Sequence, residues 1–370
     1  MARSMRARYM EWAKTESQAP FNLATSGIVN VPISEFPLRL EDLEVTTSAS
    51  GYGYPPLRAR LAAHTGAPEN CIVAATGTSM ANHLAMAAVL HPGDEVLLEL
   101  PAYGPLLDVA SFLGARINRI PRQFGTGFAL DAAEIEAVMT ADTRLIVLSN
   151  LHNPSGALLS AETLREIAEL ALRGGARVLV DEVYLEMLFD PDAPHSFHLG
   201  QTMAGAENPF IVTSSLTKLY GLSGLRCGWV LAAPDLARRI WLLNDLFGSV
   251  AAHSAERMSV LAFDHLEQFR ERGRSLLVAN RELLDAFLDS RDDLECFRPP
   301  AGTVVFPRLV RGEAENFLKL LREKYETSVV PGRFFEMPQH FRIGIGDETA
   351  SLRVCLERLG SALDEFRGKA

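Results

Sequence analysis

The sequence predicts an α/β protein whose large domain holds a mainly parallel sheet sandwiched by helices, joined to a smaller α+β domain. Three observations predict this. Seven short apolar runs alternate with helical patterns from about residue 70 to residue 233, and the pattern changes after residue 233. The chain has 370 residues, which is enough for two packed cores. Strand–helix alternation favours parallel pairing through crossover helices, so a mainly parallel sheet is expected.

The seven apolar runs are the predicted strands of that sheet. Runs with so few polar positions are typical of strands buried on both faces. They are CIVAATG (71–77), EVLLEL (95–100), RINRIP (116–121), RLIVLSN (144–150), ARVLVDEVY (176–184), PFIVTSS (209–215) and GWVLAA (228–233). Residues 79–90 and 161–173 are predicted helices between them. Ser160 is the predicted N-cap of the second helix, and Gly174-Gly175 its predicted stop.

The second domain is predicted from the part of the chain after residue 233. Residues 234–247, 254–290 and 313–325 have helical patterns, while FRPPAGTVVFPRL and FRIGIG indicate short strands. The first 44 residues show no sheet of their own, and their opening segment suits a helical arm. We therefore assign residues 45–262 to the large domain that contains the sheet. Residues 1–44 and 263–370 are assigned to the N-terminal arm and the small domain.

Composition and charge exclude several classes of protein. The formal net charge of −10 argues against nucleic-acid and anionic-membrane partners. No apolar run approaches the roughly 20 residues of a membrane helix, and the charged start is not a secretory signal. The four cysteines form no CxxC pair and do not cluster with histidines. We expect no disulfide framework and no metal site, and a reducing cytoplasmic location.

Polar residues follow five of the predicted strands. Ligands of parallel sheets collect at the carboxyl ends of the strands, so these residues are candidates for one site. Each has an ordinary structural explanation when taken alone, such as a capped helix, a tight turn or a core tyrosine. The candidates are Gly77, Thr78 and Ser79 after the first run, Tyr103 after the second, Asn153 after the fourth, Asp181 and Tyr184 after the fifth, and Ser215, Lys218 and Arg226 after the sixth.

The chemistry of these candidates points to one ligand. Lys218 follows a buried run among small residues, where desolvation lowers the pKa of an amine and suits it to Schiff-base chemistry. Arg226 can bind a phosphate through two parallel hydrogen bonds. Asp181 would be costly to bury without a cation, and no metal-ligand cluster accompanies it. An amine, an anion cradle, a buried carboxylate and a stacking aromatic together match pyridoxal phosphate.

Three motifs carry a resemblance to a known family: SLTKLYGLSGLRCGW (215–229), NPSG (153–156) and DEVY (181–184). These motifs are similar to those of the class I/II aminotransferases of pyridoxal-phosphate fold type I, the group that includes aspartate aminotransferase. The resemblance covers nearly the whole chain. The resemblance implies transfer of an amino group between an L-amino acid and a 2-oxo acid. It also implies a Schiff base on Lys218, which later shuttles the substrate α-proton, and a homodimer with active sites at the subunit interface.

The resemblance further implies a role for each candidate residue. Asp181 pairs with the cofactor's ring nitrogen, Tyr184 and Asn153 hydrogen-bond its 3′-oxygen, and Tyr103 stacks on its ring. The phosphate is held by Ser215, Arg226 and the backbone of Gly77, Thr78 and Ser79.

Two further segments resemble the family's substrate-binding parts. PGRFFEMPQHFRIGIG (331–346) is similar to the segment whose arginine binds the substrate α-carboxylate, which places that role on Arg342. NLATSG (22–27) is similar to the segment that closes over the substrate, which assigns Gly27 to the substrate site together with Asn153.

The sequence also departs from the family's pattern and leaves alternatives open. In the family, a tyrosine from the partner subunit often contacts the phosphate and lies shortly before a GxPxLR stretch. Here that stretch is GYPPLR (53–58), and Ser48 stands at the position of the tyrosine. Tyr52 and Tyr54 are the alternatives for this contact. No second arginine for a side-chain carboxylate is evident. A lyase, a decarboxylase or a cyclising enzyme would use the same cofactor residues, and a non-catalytic regulatory or binding protein would share the fold.

Overall fold

The computed structural model describes residues 5–44, 46, 51–203 and 207–368. Strand β1 (Phe21–Asn22) lies in the N-terminal arm, and the next seven strands form the central sheet. These are β2 (Ile72–Thr76), β3 (Glu95–Leu100), β4 (Arg116–Pro121), β5 (Thr143–Ser149), β6 (Arg177–Asp181), β7 (Phe210–Ser215) and β8 (Cys227–Leu231). Every apolar run that was predicted to be a strand therefore joins one sheet.

The central sheet has the spatial order β2-β8-β7-β6-β5-β3-β4. Strands β3 to β7 pair in parallel, and only β8 runs antiparallel to its neighbours β2 and β7. The predicted mainly parallel sheet is confirmed. For β4 the expectation of burial on both faces was wrong, because this strand lies at the edge and most of its residues stay partly exposed. Its polar residues Arg116, Asn118 and Arg119 are typical of such an edge.

Helices cover both faces of the sheet and also form much of the chain outside it. In chain order they are α1 (Arg8–Thr15), α2 (Pro55–Thr65), α3 (Gly77–Val89), α4 (Gly104–Phe112), α5 (Ala132–Val138), α6 (Ala161–Gly174), α7 (Ser196–Gln201), α8 (Pro234–Asn244), α9 (His253–Asp264), α10 (Leu266–Asp289), α11 (Ala314–Lys324) and α12 (Thr349–Arg367). Among the helices of the described ranges, none has both the length and the apolar composition needed to cross a membrane.

Two details of the predicted helices were tested by the structure. The Ser160 hydroxyl accepts a hydrogen bond from the Thr163 N–H at 3.0 Å, and Gly175 ends α6 with a φ of 70°, so both predicted ends are confirmed. The single helix predicted over residues 254–290 was wrong. His265, with φ −120° and ψ 19°, separates α9 from α10.

Alternate residues of each central strand pack into different cores. In β5, Ile146 and Leu148 join the core beneath α2 and α6, while Leu145 and Val147 join the core beneath α3, α4 and α8. Successive side chains of a strand point to opposite faces, so a sheet covered on both faces needs apolar residues at every position. This requirement explains the continuous apolar runs of the sequence.

A third core belongs to the C-terminal part of the chain. Its strands are β9 (Leu294–Glu295), β10 (Val304–Val305), β11 (Arg308–Leu309), β12 (Thr327–Ser328), β13 (Val330–Pro331) and β14 (Phe341–Gly344). The arm strand β1 pairs in parallel with β12, so this segment of the arm packs on the C-terminal part of the chain. Helix α10 contributes Phe269 to the core beneath α2 and α6, and Leu284 to this third core. The division at residues 262 and 263 stays a prediction.

Candidate active site

The carboxyl ends of the central strands meet at one edge of the sheet, where the chain forms a cavity of about 200 Å³. Most of the predicted site residues line it, although they come from distant parts of the sequence. Those residues are Thr78, Ser79, Tyr103, Asn153, Asp181, Tyr184, Ser215, Lys218 and Arg226. Gly27, Gly77 and Arg342 do not line the cavity itself. The sheet therefore brings nine of the predicted residues together, as parallel strand ends should.

Lys218 lies in the cavity as a desolvated amine. Burial lowers the pKa of Lys218 to about 8, and the nearby guanidinium of Arg342 acts in the same direction. The ammonium group donates a hydrogen bond to the Ser26 hydroxyl at 2.7 Å. An amine with this pKa is partly neutral near physiological pH, which is the form that reacts with an aldehyde.

Ser26 was not predicted as a site residue, yet it contacts two of them. It lines the cavity, bonds to Lys218 and shares a side-chain hydrogen bond with Tyr184. Burial raises the pKa of Tyr184, so this phenol stays protonated. The backbone fixes the contact, because the Ile28 N–H donates to the Lys218 carbonyl at 2.9 Å.

Gly27 lies directly against Lys218. A methyl group added at Gly27 would come within 3.3 Å of the Lys218 Cα and Cδ atoms. This glycine therefore keeps the arm segment close to the lysine, although it does not line the cavity.

Asp181 is a buried carboxylate held by neutral donors. It accepts a hydrogen bond from the Asn82 Nδ2 at 2.8 Å and one from the Val183 N–H at 3.2 Å. The Thr213 hydroxyl donates to the Asn82 Oδ1 at 2.6 Å, which turns the amide nitrogen of Asn82 toward Asp181. Burial raises the pKa of Asp181 to about 6. Such a carboxylate is suited to a cationic ring placed in the cavity.

Asn82 is a second residue that was not predicted. It lies one helical turn after Thr78 in α3, so the two side chains share a face of the helix. The spacing of four residues was a usable signal, but the predicted helix began at residue 79 rather than at Gly77. A correct start would have directed attention to this face.

The first turn of α3 forms a cradle for an anion. Gly77 has a φ of 73°, and a side-chain carbon at this position would lie 2.3 Å from the Arg226 Nη2. The Thr78 hydroxyl donates to the Ser215 Oγ at 2.8 Å, so both hydroxyls lie beside this helix terminus. Free N–H groups, a guanidinium and two hydroxyls fit a phosphate group. A side chain at Gly77 would be strained by this positive φ and would displace the guanidinium of Arg226.

Asn153 links the cavity to Arg342. The Arg342 Nη1 donates to the Asn153 Oδ1 at 2.8 Å, and the Asn153 N–H donates to the Ser149 Oγ at 3.1 Å. With its carbonyl oxygen engaged in this way, Asn153 keeps its amide nitrogen as a donor, and donation into the site stays a prediction. Arg342 lies on β14 and is fully buried.

The aromatic residues of the site meet the N-terminal helix. The Tyr103 ring lies 5.5 Å from the Tyr9 ring in an edge-on arrangement, and the Tyr103 hydroxyl lies 3.5 Å from the Met10 sulfur. Met10 also lines the cavity. The arm helix α1 therefore covers the site, a contact that the sequence did not predict.

The proposed substitutes for a partner-subunit tyrosine lie away from this cavity. Ser48 lies outside the described residues. Tyr52 is 46% exposed, and its hydroxyl donates to Asp245 at 3.2 Å. The Tyr54 ring packs edge-on against His253, with centroids 5.0 Å apart.

Comparisons with known proteins agree with this geometry. Residues 24–359 match the sequence model of a family described as aminotransferase class I and II. A capreomycidine synthase of Streptomyces vinaceus is 29% identical over 364 residues, which cover 95% of this chain and 90% of that relative. An arginine–pyruvate transaminase of Pseudomonas aeruginosa is 29% identical over 308 residues, covering 81% and 76%. The crystal structure of a PLP-dependent aminotransferase from Streptococcus suis has a TM-score of 0.90 and 27% identity, covering 99% of each chain.

Proposed function

The chain belongs to the class I and II aminotransferases, whose cofactor is pyridoxal 5′-phosphate, and on this premise we propose that it moves an amino group between an L-amino acid and a 2-oxo acid. One observation carries the proposal. The desolvated amine of Lys218 shares a cavity with a buried carboxylate and a phosphate-sized anion cradle. Few ligands other than this cofactor need all three groups.

The residues of the cavity fit the cofactor group by group. We propose that Lys218 links to its aldehyde and that Asp181 pairs with its ring nitrogen. Tyr184 and Asn153 would bind the 3′-oxygen, and Tyr103 would lie against the ring. The phosphate would be held by the residues of the anion cradle, which are Gly77, Thr78, Ser79, Ser215 and Arg226.

The side chains around Lys218 support proton transfer. The bound cofactor supplies an aldehyde that takes the substrate nitrogen and an electron-poor ring that acidifies the α-carbon. A pKa near 8 would let the Lys218 amine take a proton from that carbon and deliver it to the carbon contributed by the cofactor's aldehyde, as general base and then general acid. Ser26 positions this amine through its hydrogen bond, and Tyr184 in turn bonds to Ser26. Arg342, which also bonds to Asn153, would orient the substrate through its α-carboxylate.

A panel of amino acids and 2-oxo acids tests the proposed reaction. The enzyme with its cofactor is mixed with one amino acid and no acceptor, and the products are identified by mass spectrometry. We expect one equivalent of the corresponding 2-oxo acid per active site, and continuous turnover once a second 2-oxo acid is added. Release of carbon dioxide, of an eliminated group or of a cyclic product, without a 2-oxo acid, would contradict transamination.

A cyclising enzyme is the second candidate function. It is favoured by the similarity to a capreomycidine synthase, which extends over 95% of this chain. Such an enzyme would use the same cofactor residues and convert one amino acid into one cyclic product, with no acceptor consumed. The same panel separates the two reactions, and a non-catalytic regulatory protein would convert none of the amino acids.

The lowered pKa of Lys218 predicts how cofactor capture depends on pH. Only the neutral amine attacks an aldehyde. A pKa of about 8 leaves half of the Lys218 side chains neutral at pH 8. An ordinary lysine is less than ~1% neutral at the same pH. We expect the attachment rate of the cofactor to the apoprotein, followed by absorbance, to rise with pH up to about 8 and then level off. The same measurement with Nα-acetyllysine, a free amine, shows how much of the pH dependence comes from titration of the cofactor itself. A protein rate that keeps rising to pH 10, as the free amine's does, would contradict the prediction.

We further propose that the protein is a homodimer in the cytoplasm. The segment after α8 presents a group of exposed apolar side chains, with Leu246 at 78%, Phe247 at 53% and Val250 at 68% exposure. Apolar groups clustered in this way favour a protein interface. Sedimentation equilibrium should give twice the monomer mass of 40.5 kDa. Phe247→Asp should shift the protein toward monomers. Val354→Asp, at an exposed apolar residue on α12, is the control and should not. A wild-type protein that is monomeric at micromolar concentration would contradict the proposal.

A further inference from the structure

Helix α1 is fixed over the active site by aromatic packing. Its Tyr9 and Trp12 are buried, and their rings lie 5.9 and 5.2 Å from the ring of Phe334. Tyr9 also packs against Tyr103, whose hydroxyl lies beside Met10. The helix thus connects the cavity wall with the segment that leads into β14. Its side chains occupy fixed positions next to the reacting groups.

The hydroxyl of Tyr9 binds the guanidinium of Arg342. The Arg342 Nη2 donates to this oxygen at 3.0 Å, and the Tyr9 ring centroid lies 5.7 Å from the Arg342 Cζ. Because the hydroxyl accepts this bond, its own proton stays available for another acceptor. A phenol that accepts a bond from a cation is also polarised into a stronger donor.

In the described part of the chain, the hydrogen-bond partners of Arg342 are neutral groups of Asn153, Tyr9 and Ala24. Arg342 is fully buried, and among the residues that the structure describes no carboxylate forms an ion pair with it. Its Nε is buried without a hydrogen-bond acceptor in the same ranges. Burying a guanidinium beside neutral groups alone is costly, so an anion from outside the described chain would stabilise this arrangement. Asn153 lines the cavity, and both Arg342 and Tyr9 lie close enough to Lys218 to act on its pKa, so an anion would approach Arg342 from the cavity side.

We propose that Tyr9 is a specificity-determining residue that binds the substrate carboxylate together with Arg342. The carboxylate accepts hydrogen bonds from the guanidinium and from the Tyr9 hydroxyl, while Asn153 and the aromatic cluster keep both donors in place. Donors of this kind select a substrate with a carboxylate over one in which an amide replaces it. The inference rests on the proposed function, since it names a residue for the substrate of that site.

The test compares two ligands that differ only in this group. The probes are 2-aminoisobutyrate, which has no α-hydrogen, and 2-aminoisobutyramide, which lacks the carboxylate. Their dissociation constants are measured from the absorbance of the holoenzyme's bound cofactor, for wild type, Tyr9→Phe and Trp12→Phe. Tyr9→Phe keeps the ring and removes the hydroxyl. Trp12→Phe is the matched control, because Trp12 lies in the same helix and aromatic cluster but makes no hydrogen bond to Arg342 in the described structure.

Tyr9→Phe should weaken binding of the carboxylate probe about tenfold and change binding of the amide probe less than about twofold. Trp12→Phe should leave the ratio of the two constants unchanged. Equal weakening of both probes by Tyr9→Phe would assign Tyr9 a structural role and overturn the inference. Unchanged or tighter binding of the carboxylate would also overturn it, since Tyr9 would then be neutral or obstruct Arg342. If the wild-type cofactor responds to neither probe nor to any amino acid of the panel, the proposed function fails as well.

Discussion

Lys218→Ala is expected to lower the turnover rate by at least about a thousandfold, because it removes both the covalent link to the cofactor and the proton carrier of the reaction. The amine lies in the cavity with a pKa of about 8 and a hydrogen bond to Ser26, and the described lining of this cavity contains no second lysine. The rate is measured with the best amino acid and 2-oxo acid of the panel, at saturating cofactor.

The matched control for this variant is Lys319→Ala. Lys319 lies on α11, and its side chain is 71% exposed, so its removal should leave the rate within a factor of about two. Thermal unfolding of both variants separates a loss of chemistry from a loss of folding. Turnover of Lys218→Ala at the wild-type rate would refute the assigned role.

Asp181→Asn is expected to lower the rate by roughly 10²- to 10³-fold, because a neutral amide cannot stabilise a protonated ring nitrogen. The shape of the side chain is kept, although the amide offers only one acceptor oxygen to the two donors Asn82 and Val183. The bound cofactor should also lose much of its electron-withdrawing power. The measurements are the turnover rate and the pH titration of cofactor absorbance.

Glu182→Gln provides the comparison for Asp181→Asn. Glu182 is the next residue and is also buried, but it accepts from the Ser196 N–H at 2.8 Å and lies 3.3 Å from His195. It does not line the cavity. Its variant should keep the rate within about threefold, even if the protein is less stable. A large loss in Glu182→Gln together with normal turnover in Asp181→Asn would contradict the assignment.

Much of the site could be predicted from the sequence because parallel strands end at the same edge of a sheet. Once the runs before Asn153, Asp181 and Lys218 are identified as neighbouring strands, the proximity of these residues follows from topology. The identity of the cofactor then follows from the combined chemistry of the residues at these strand ends. No exact boundary of a strand is needed for this inference, so small errors in the predicted ends do not affect it.

Two residues that the sequence did not reveal, Ser26 and Tyr9, reach the site through long-range contacts. Ser26 and Tyr9 lie near the N-terminus, and they meet Lys218 and Arg342 because β1 pairs with β12 over only two residues. A strand this short has no detectable periodicity. Similarly, no Gly or Pro marks the break at His265. Local patterns therefore identified the sheet and its ligand, but not the contacts of helix α1 with the site.

Attachment of the cofactor to Lys218 is the central claim, and it can be tested by reduction of the native enzyme. Treatment with borohydride fixes a linked cofactor permanently on its amine, and digestion followed by mass spectrometry locates the modified residue. We expect a single labelled peptide that carries the added mass on Lys218, with no labelling of that peptide in Lys218→Ala. A purified protein that takes up no cofactor, or that carries the label on another lysine, would contradict the account.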